Sequence, residues 1–154
     1  METLTTFLWF DKEAGEAAKF YTSIFKGSKI KDRTILHNTP SGTVEIVSIE
    51  LLGREFRLMS AGQFFKFNEA ISFVVNCDTQ EQIDYYWNKL SADPKAEQCG
   101  WLKDKYGVSW QIIPSALNKL MSDPDPKKSK SVMDAMLQMG KIDIAALKRA
   151  YDQA

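Results

Sequence analysis

The side chains able to act as nucleophiles, acid–base groups or transition-metal ligands are few in this chain. His37 is the single histidine, and Cys77 and Cys99 are the two cysteines. A metal site with two imidazole ligands is therefore impossible within one chain, and a Ser-His-Asp or Cys-His arrangement could use His37 alone. His37 stands just before the turn-forming run 38–42, so we expect it at an exposed strand end.

The two cysteines belong to no recognisable motif. They do not have Cys-x-x-Cys spacing, and a chain without a secretion signal usually keeps such thiols reduced. We therefore expect both to be reduced and buried. The glycine-rich phosphate motifs G-x-x-x-x-G-K and G-x-G-x-x-G are also missing from the sequence. The sequence thus lacks the common signals for metal, redox and nucleotide sites.

The composition is that of an ordinary globular protein. The 154 residues include 20 basic and 20 acidic side chains, so the formal net charge is zero, and 44% of residues are hydrophobic. This balance gives no reason to expect binding to nucleic acid or to an anionic membrane. No apolar run reaches the roughly 18 residues of a membrane span, and the first residues lack a basic region. We expect a cytoplasmic protein with no transmembrane segment.

Hydrophobic periodicity predicts alternating strands and helices. Amphipathic helices are predicted over 13–25, with Asp11 as a candidate cap, and after Thr79 as far as the break at Asp93-Pro94. Predicted strands cover 4–10, 29–36, 43–52, 55–59, 70–76, 95–99, 101–105 and 108–113, and further helices cover 115–122, 128–139 and 143–151.

The two halves of the chain repeat one another. An offset of 66 residues aligns the first strand and helix of each half, and an offset of 54 residues aligns the last strands. The matched pairs include Phe7 with Phe73, Tyr21 with Trp87, Gly53 with Gly107, and Phe56 with Trp110. Because two matching sets occur in the same order, the sequence predicts a duplicated β-α-β-β-β module.

This duplication resembles the vicinal oxygen chelate superfamily, which includes glyoxalase I, bleomycin-resistance proteins and extradiol dioxygenases. The chain is identified more closely as similar to the PhnB-like family, often labelled 3-demethylubiquinone-9 3-methyltransferase. The resemblance is carried by segments 7–11, 16–21, 65–73 and 100–111, and by tail segments 122–126, 133–139 and 141–144. It implies one α+β domain with module one at about 1–62, module two at about 69–114 and a helical tail at about 115–154. The two βαβββ modules would form curled mixed sheets around a cavity.

The resemblance also implies a set of cavity positions. Metal-dependent members place His, Gln or Glu on the first and last strand of each module. In this chain, those positions carry Thr6, Arg57, Ser72 and Gln111. Strand alternation agrees with this placement if Phe7, Phe56, Phe73 and Trp110 face the helices. The set is poor for a divalent metal, because Arg57 is a cation and the two hydroxyls are weak ligands.

The sequence therefore predicts a cavity that binds an unidentified small molecule without metal or cofactor, as bleomycin-resistance proteins do. Arg57 would clamp an anionic group, unless it pairs with Glu45 or Glu50, of which one at most faces the cavity. Hydroxyl or amide groups would orient the ligand, and aromatic side chains would supply surface. The hydrogen-bonding candidates are Thr6, Ser72 and Gln111, and the aromatic candidates are Trp9, Trp101, Tyr106 and Trp110, although a tryptophan on a strand is also typical of a core.

Two alternatives stay open from the sequence. One is a metal-dependent lyase, isomerase or oxygenase of the same superfamily, and the other is a protein-interaction module with a filled cavity. The methyltransferase label lacks support, since no glycine-rich strand-to-helix loop suited to S-adenosylmethionine is visible. The resemblance and the aromatic loop 61–68 further imply a homodimer.

Overall fold

In a computed structural model that describes residues 1–154, the chain divides into two units, Met1–Lys66 and Phe67–Ala154. The division falls in the loop predicted between the modules. The predicted fold class is confirmed: each unit contains a mixed sheet with a helix inserted after its first strand, and helices follow at the C-terminus. The curling of the sheets around a cavity stays a prediction.

The first unit contains a four-stranded sheet in the order β1-β4-β3-β2. Strand β1 pairs in parallel with β4, and the other neighbours are antiparallel. The elements are β1 (Thr6–Phe10), α1 (Ala14–Ile24), β2 (Lys29–Thr39), β3 (Gly42–Leu51) and β4 (Arg54–Ser60). His37 is exposed near the end of the edge strand β2, as predicted.

Helix α1 buries one apolar stripe against the first sheet. Tyr21 and Ile24 are almost fully buried on the helix, as are Ile49 and Leu58 on the sheet. The predicted cap Asp11 is wrong, because the helix begins at Ala14, three residues beyond it. The backbone N–H of Ala14 instead donates to Ser60 Oγ at 2.9 Å, which satisfies one of the open donors at the helix start.

The second unit contains a three-stranded sheet in the order β5-β7-β6. A capping box formed by Thr79 and Gln82 begins its helix, which confirms the predicted cap. The elements are β5 (Ser72–Cys77), α2 (Gln80–Leu90), β6 (Trp101–Lys103) and β7 (Ser109–Pro114).

The predicted strand over 95–99 is wrong. Pro94–Ala96 forms a 3-10 turn, in which Asp93 Oδ1 accepts a hydrogen bond from the Lys95 N–H at 3.0 Å. Proline at the first helical position and an aspartate before it both favour a helical turn over an extended strand. The strand-like pairing found in this segment is one isolated bridge between Gln98 and Trp101.

Three C-terminal helices form a second apolar cluster within the second unit. They are α3 (Leu117–Met121), α4 (Pro126–Leu137) and α5 (Ile144–Asp152). The cluster contains Leu117, Val132, Ile142 and Leu147, with Met121, Met136 and Met139 packed against it. These three methionines therefore fill space between the C-terminal helices. None of the helices has both the length and the apolar character needed to cross a bilayer.

Backbone hydrogen bonds join this helical tail to the segment that precedes β6. The N–H of Cys99 donates to Met139 O and the N–H of Gly100 donates to Gly140 O, both at 2.8 Å. Gly100 has φ +84°, and a Cβ there would lie 2.8 Å from Ile113 Cδ1. The positive φ, with Ile112 O 3.1 Å and the tail residue Ile142 Cγ1 3.2 Å from such a Cβ, therefore favours glycine at this position.

Candidate ligand-binding site

In the first unit, the parallel register places Phe7 beside Arg57 and Thr6 beside the buried Phe56. Laterally paired residues point to the same side of a sheet, so Thr6 does not share a face with Arg57. The predicted grouping of Thr6 with Arg57 is wrong in this respect. The cause is the strand-to-helix connection, which contains residues 11–13 in the first unit but only residues 78–79 in the second.

Arg57 is half-exposed and has a carboxylate partner on its own strand. Its Nε lies 3.4 Å from Glu55 Oε1, and Lys31 Nζ lies 2.8 Å from the other oxygen of the same carboxylate. The hydrogen bond from Lys31 is the main reason that the pKa of Glu55 is lowered. The predicted pairing of Arg57 with Glu45 or Glu50 is therefore replaced by a pairing with Glu55.

Glu45 and Glu50 lie on opposite faces of β3. Glu45 accepts a hydrogen bond from Arg33 Nη2 at 2.6 Å and lies close to Gly15 at the start of α1. Glu50 shares the face of Arg57, because Arg57 pairs with Ser48 and Glu50 stands two residues farther along the strand. The sequence alone left this choice open.

Trp9 holds the aromatic loop that closes the first unit. Its indole N–H donates to Gly62 O at 2.8 Å, so this donor is already satisfied. Phe64 and Phe65 make edge contacts with the indole at centroid distances of 6.3 and 5.1 Å. Both phenylalanines are 68% exposed. Trp9 thus anchors a loop that presents apolar surface to solvent.

In the second unit, the strand alternation agrees with the face placement expected from the sequence. Phe73 and Trp110 share one face, with ring centroids 5.4 Å apart. Ser72 and Gln111 lie on the opposite face, where Gln111 Nε2 donates to Ser72 Oγ at 2.8 Å. We call this opposite face, with Ser72, Ser109 and Gln111, the polar face. The role of Ser72 and Gln111 in binding a ligand stays a prediction.

Strand β6 adds Trp101 and Lys103 to the polar face. Trp101 pairs with Gln111, and Lys103 pairs with Ser109, across the antiparallel ladder. Tyr106 lies elsewhere, in the hairpin turn, where its N–H donates to Asp104 Oδ1 and Lys105 Nζ lies 5.3 Å from its ring centroid. Of the aromatic candidates in this unit, Trp101 therefore lies on the polar face, whereas Trp110 lies on the opposite face and Tyr106 in the turn.

A pocket of about 350 Å³ opens beside Trp101. This volume lies within the range of small-molecule sites. Its lining residues are Glu69, Ala96, Gln98, Cys99, Trp101, Leu102, Lys103 and Ser109. Sequence reasoning found Trp101 but missed Lys103 and Ser109. Each stands two residues from a predicted cavity residue on the same strand, Trp101 or Gln111, so strand alternation was a signal that could have found both.

Ser109 is the unusual residue of this pocket. Its side chain is 1% exposed, and Ser109 Oγ has no hydrogen-bond partner. A buried hydroxyl without a partner costs about 1–3 kcal/mol in proteins, so nearly all buried hydroxyls are bonded. Because this oxygen is closed to solvent, a bound molecule would reach it after a small shift of the pocket wall, and would then find one donor and two acceptor sites.

The pocket carries one cation and one anion. Lys103 Nζ contacts Glu69 Oε1, and the lysine side chain is 25% exposed whereas that of the glutamate is 63% exposed. The hydrogen bond from Lys103 is the main reason that the pKa of Glu69 is lowered. The lysine therefore belongs to the pocket wall, and the glutamate covers it from the solvent side.

The two cysteines differ in their surroundings. Both are free, Cys77 is buried, and Cys99 is half-buried in the pocket wall. Cys77 is buried as expected, whereas Cys99 is only partly buried. Burial raises the pKa of the Cys77 thiol to about 11.

The first unit has a cleft of about 320 Å³ between α1 and the neighbouring strands. Its wall includes the Arg33–Glu45 ion pair and two further lysines, Lys12 and Lys19. No unpaired buried polar atom is found among its lining residues. The pocket of the second unit is for this reason the stronger candidate.

The residues at the metal positions implied by the resemblance do not fit a divalent ion. Arg57 repels a cation, and the Gln111 amide N–H is turned toward Ser72. Phe7, which takes the place expected for Thr6 beside Arg57, has no ligand atom. Across residues 1–154, no group of three or more His, Cys, Asp or Glu side chains could hold a metal ion.

Comparison with known proteins identifies the relatives of this chain. It is 33% identical to the PhnB protein of Bacillus cereus, with a TM-score of 0.61, over 74% of this chain and all of that one. A protein from Pseudomonas aeruginosa, PA1353, shares the fold at 16% identity and a TM-score of 0.55, over 74% of this chain and 98% of that one. No curated protein matches.

The family match extends from residue 2 to residue 113. The C-terminal helices lie beyond it, so the similarity expected for the tail segments is not supported. The match covers both strand–helix modules, including the strands that carry Arg57, Ser72, Trp101 and Gln111. The chain belongs to the 3-demethylubiquinone-9 3-methyltransferase family, the PhnB-like proteins.

Proposed function

We propose that this protein binds a small organic molecule in the pocket beside Trp101. The observation that carries the proposal is the unpaired, buried hydroxyl of Ser109 inside a pocket of about 350 Å³. A ligand that hydrogen-bonds to this hydroxyl would remove the cost of leaving it unpaired. The indole of Trp101 would cover the apolar part of the same ligand.

The remaining wall suits a molecule with a mostly apolar body. Ala96, Leu102 and Trp101 supply apolar contacts, and the polar groups come from Glu69, Gln98, Lys103 and Ser109. Small-molecule sites commonly combine an apolar wall with a few convergent polar groups that fix orientation.

Family membership supports the fold of the site but does not name its ligand, because one fold hosts many functions. Methyl transfer is not part of the proposal. Each sheet has one parallel strand pair beside antiparallel ones, unlike the parallel, doubly wound sheet that commonly binds nucleotide cofactors. Strand β1 enters α1 through Asp11, Lys12 and Glu13, without a glycine.

The alkylation rate of Cys99 can show whether the pocket is occupied. Cys99 lines it, whereas Cys77 is buried with a raised pKa and therefore has about one thiolate per thousand at pH 8. We expect iodoacetamide to alkylate Cys99 much faster than Cys77. Compounds from a fragment library that raise the melting temperature should slow Cys99 alkylation, measured by mass spectrometry of the two peptides.

A matched variant tests the location. Ala96→Phe places a ring in the pocket without changing any of its polar groups. The protection of Cys99 by the same compounds should then disappear, while circular dichroism shows a folded protein. Compounds that stabilise the protein without slowing Cys99 alkylation would bind elsewhere. If no compound protects Cys99, the proposed function is wrong.

The homodimer and the cytoplasmic location stay predictions. The exposed Phe64 and Phe65 support an association surface on the first unit, since exposed aromatic patches often mark interfaces. Light scattering at micromolar concentration should give twice the mass of the 17.5 kDa chain. A monomer at that concentration would contradict the dimer.

A further inference from the structure

The charges of the pocket beside Trp101 restrict its ligand further. This step rests on the proposed function and concerns the same pocket. Lys103 and Glu69 are its two charged residues, and their ion pair leaves the pocket without net charge. The class of ligand therefore depends on which of these two charges a bound molecule can replace.

Glu69 is the more easily replaced partner. Its side chain is 63% exposed, whereas the lysine side chain is 25% exposed. The Glu69 carboxylate is well exposed and remains hydrated when the pair separates, so its release costs little free energy. A carboxylate carried by a ligand can thus take the place of the Glu69 carboxylate at Lys103 Nζ, while Glu69 turns into solvent.

Ser109 lies where the same carboxylate would need a second donor. Lys103 and Ser109 are opposite each other in the antiparallel ladder, and directly opposed side chains have Cβ atoms about 4.5–5.5 Å apart. Once a small shift of the wall opens Ser109 Oγ, the two oxygens of one carboxylate can accept from Lys103 Nζ and from Ser109 Oγ–H. This arrangement would satisfy the unpaired hydroxyl with a charge-assisted hydrogen bond.

We infer that the pocket binds a small organic monocarboxylate whose apolar body contacts Trp101. The carboxylate displaces Glu69 from Lys103 and accepts a hydrogen bond from Ser109. A dianion such as a phosphate ester is disfavoured, because the pocket offers one lysine, with a glutamate beside it. A neutral molecule would leave the ion pair intact and would lack the negative charge that attracts the ammonium group.

The test uses phenylacetate and phenylacetamide, which have the same shape and differ in charge. Each is titrated into the 154-residue protein, and binding is measured by protein-detected NMR together with the rate of Cys99 alkylation. We expect phenylacetate to bind about fivefold more tightly than the amide, as a charge-assisted bond replaces a neutral one. Equal affinities, or tighter binding of the amide, would overturn the inference.

Two variants separate the roles of the charges. Glu69→Gln removes the competing carboxylate, so phenylacetate affinity should rise several-fold while amide affinity stays unchanged. Lys103→Gln should reduce phenylacetate affinity to that of the amide. A fall in phenylacetate affinity in Glu69→Gln would show that the ion pair is needed intact. Urea unfolding checks that both variants are folded.

The outcomes distinguish this inference from the proposed function. If neutral fragments protect Cys99 but phenylacetate does not, the pocket binds small molecules and the monocarboxylate inference is wrong. If no compound of any class protects Cys99, both are wrong. Protection by phenylacetate that Lys103→Gln leaves unchanged would place its carboxylate elsewhere in the pocket and would also overturn the inference.

Discussion

Replacing Ser109 by alanine should make the protein more stable and a poorer binder. The native hydroxyl is 1% exposed and unpaired, so the folded state bears its desolvation cost of about 1–3 kcal/mol. Removing one oxygen atom leaves a small void that costs part of this gain. We expect the free energy of unfolding to rise by about 1 kcal/mol and the melting temperature by about 2–4 °C.

Replacing a serine that is hydrogen-bonded should change the free energy of unfolding in the opposite direction. Ser60 Oγ accepts a hydrogen bond from the Ala14 N–H at the start of α1, so Ser60→Ala removes a satisfied interaction. This variant should lose about 1 kcal/mol of stability. Urea unfolding followed by circular dichroism and by tryptophan fluorescence measures both variants, with unchanged m-values as the check that the same unfolding transition is compared.

The same two proteins are then titrated with phenylacetate. Ser109→Ala should bind it several-fold more weakly, whereas Ser60→Ala should bind it as the wild type does. If Ser109→Ala loses stability as Ser60→Ala does, the Ser109 hydroxyl has a partner in the native protein. The unpaired hydroxyl could then no longer support a ligand site.

Three further substitutions test other contacts. Gly100→Ala should cost more than about 2 kcal/mol of unfolding free energy, because φ is +84° and the new Cβ would lie 2.8 Å from Ile113 Cδ1. Asp104→Ala should cost about 3 kcal/mol, since Asp104 is buried and its Oδ2 accepts from Trp110 Nε1 at 2.9 Å. Arg57→Ala should change stability by less than about 0.5 kcal/mol, because Arg57 is exposed. Urea unfolding measures all three, and loss of anion binding in Arg57→Ala would support its predicted clamp.

Most of the order of strands and helices could be predicted from hydrophobic periods and β-branched runs, although the strand expected over 95–99 is absent. The repeat could be detected as well, but not its exact register. The helices align at an offset of 66 residues, as Tyr21 and Trp87 show. The first strands align at 67, because Leu8 pairs with Leu58 as Val75 pairs with Ile112. One additional residue in a connection reverses every side chain of a strand.

The prediction of the cavity residues depended on the same strand register. Ser72 and Gln111 were placed on one face correctly, because their strands were aligned correctly. The unpaired hydroxyl of Ser109 was beyond prediction, since it depends on which groups the tertiary fold places around that oxygen. Whether a serine is bonded or unpaired is decided by tertiary contacts, and neither residue type nor spacing reveals it.

The two hydrogen bonds from Cys99 and Gly100 to the helical tail link the ligand pocket to the stability of the tail. Both amide protons exchange with solvent only when the bonds to Met139 and Gly140 open. A ligand that holds the Cys99 wall in place must therefore slow the opening of the tail, and by thermodynamic reciprocity a tail held closed must tighten the ligand. The rates of amide exchange at Cys99 and Gly100 and of proteolysis of the tail should therefore fall when a ligand occupies the pocket.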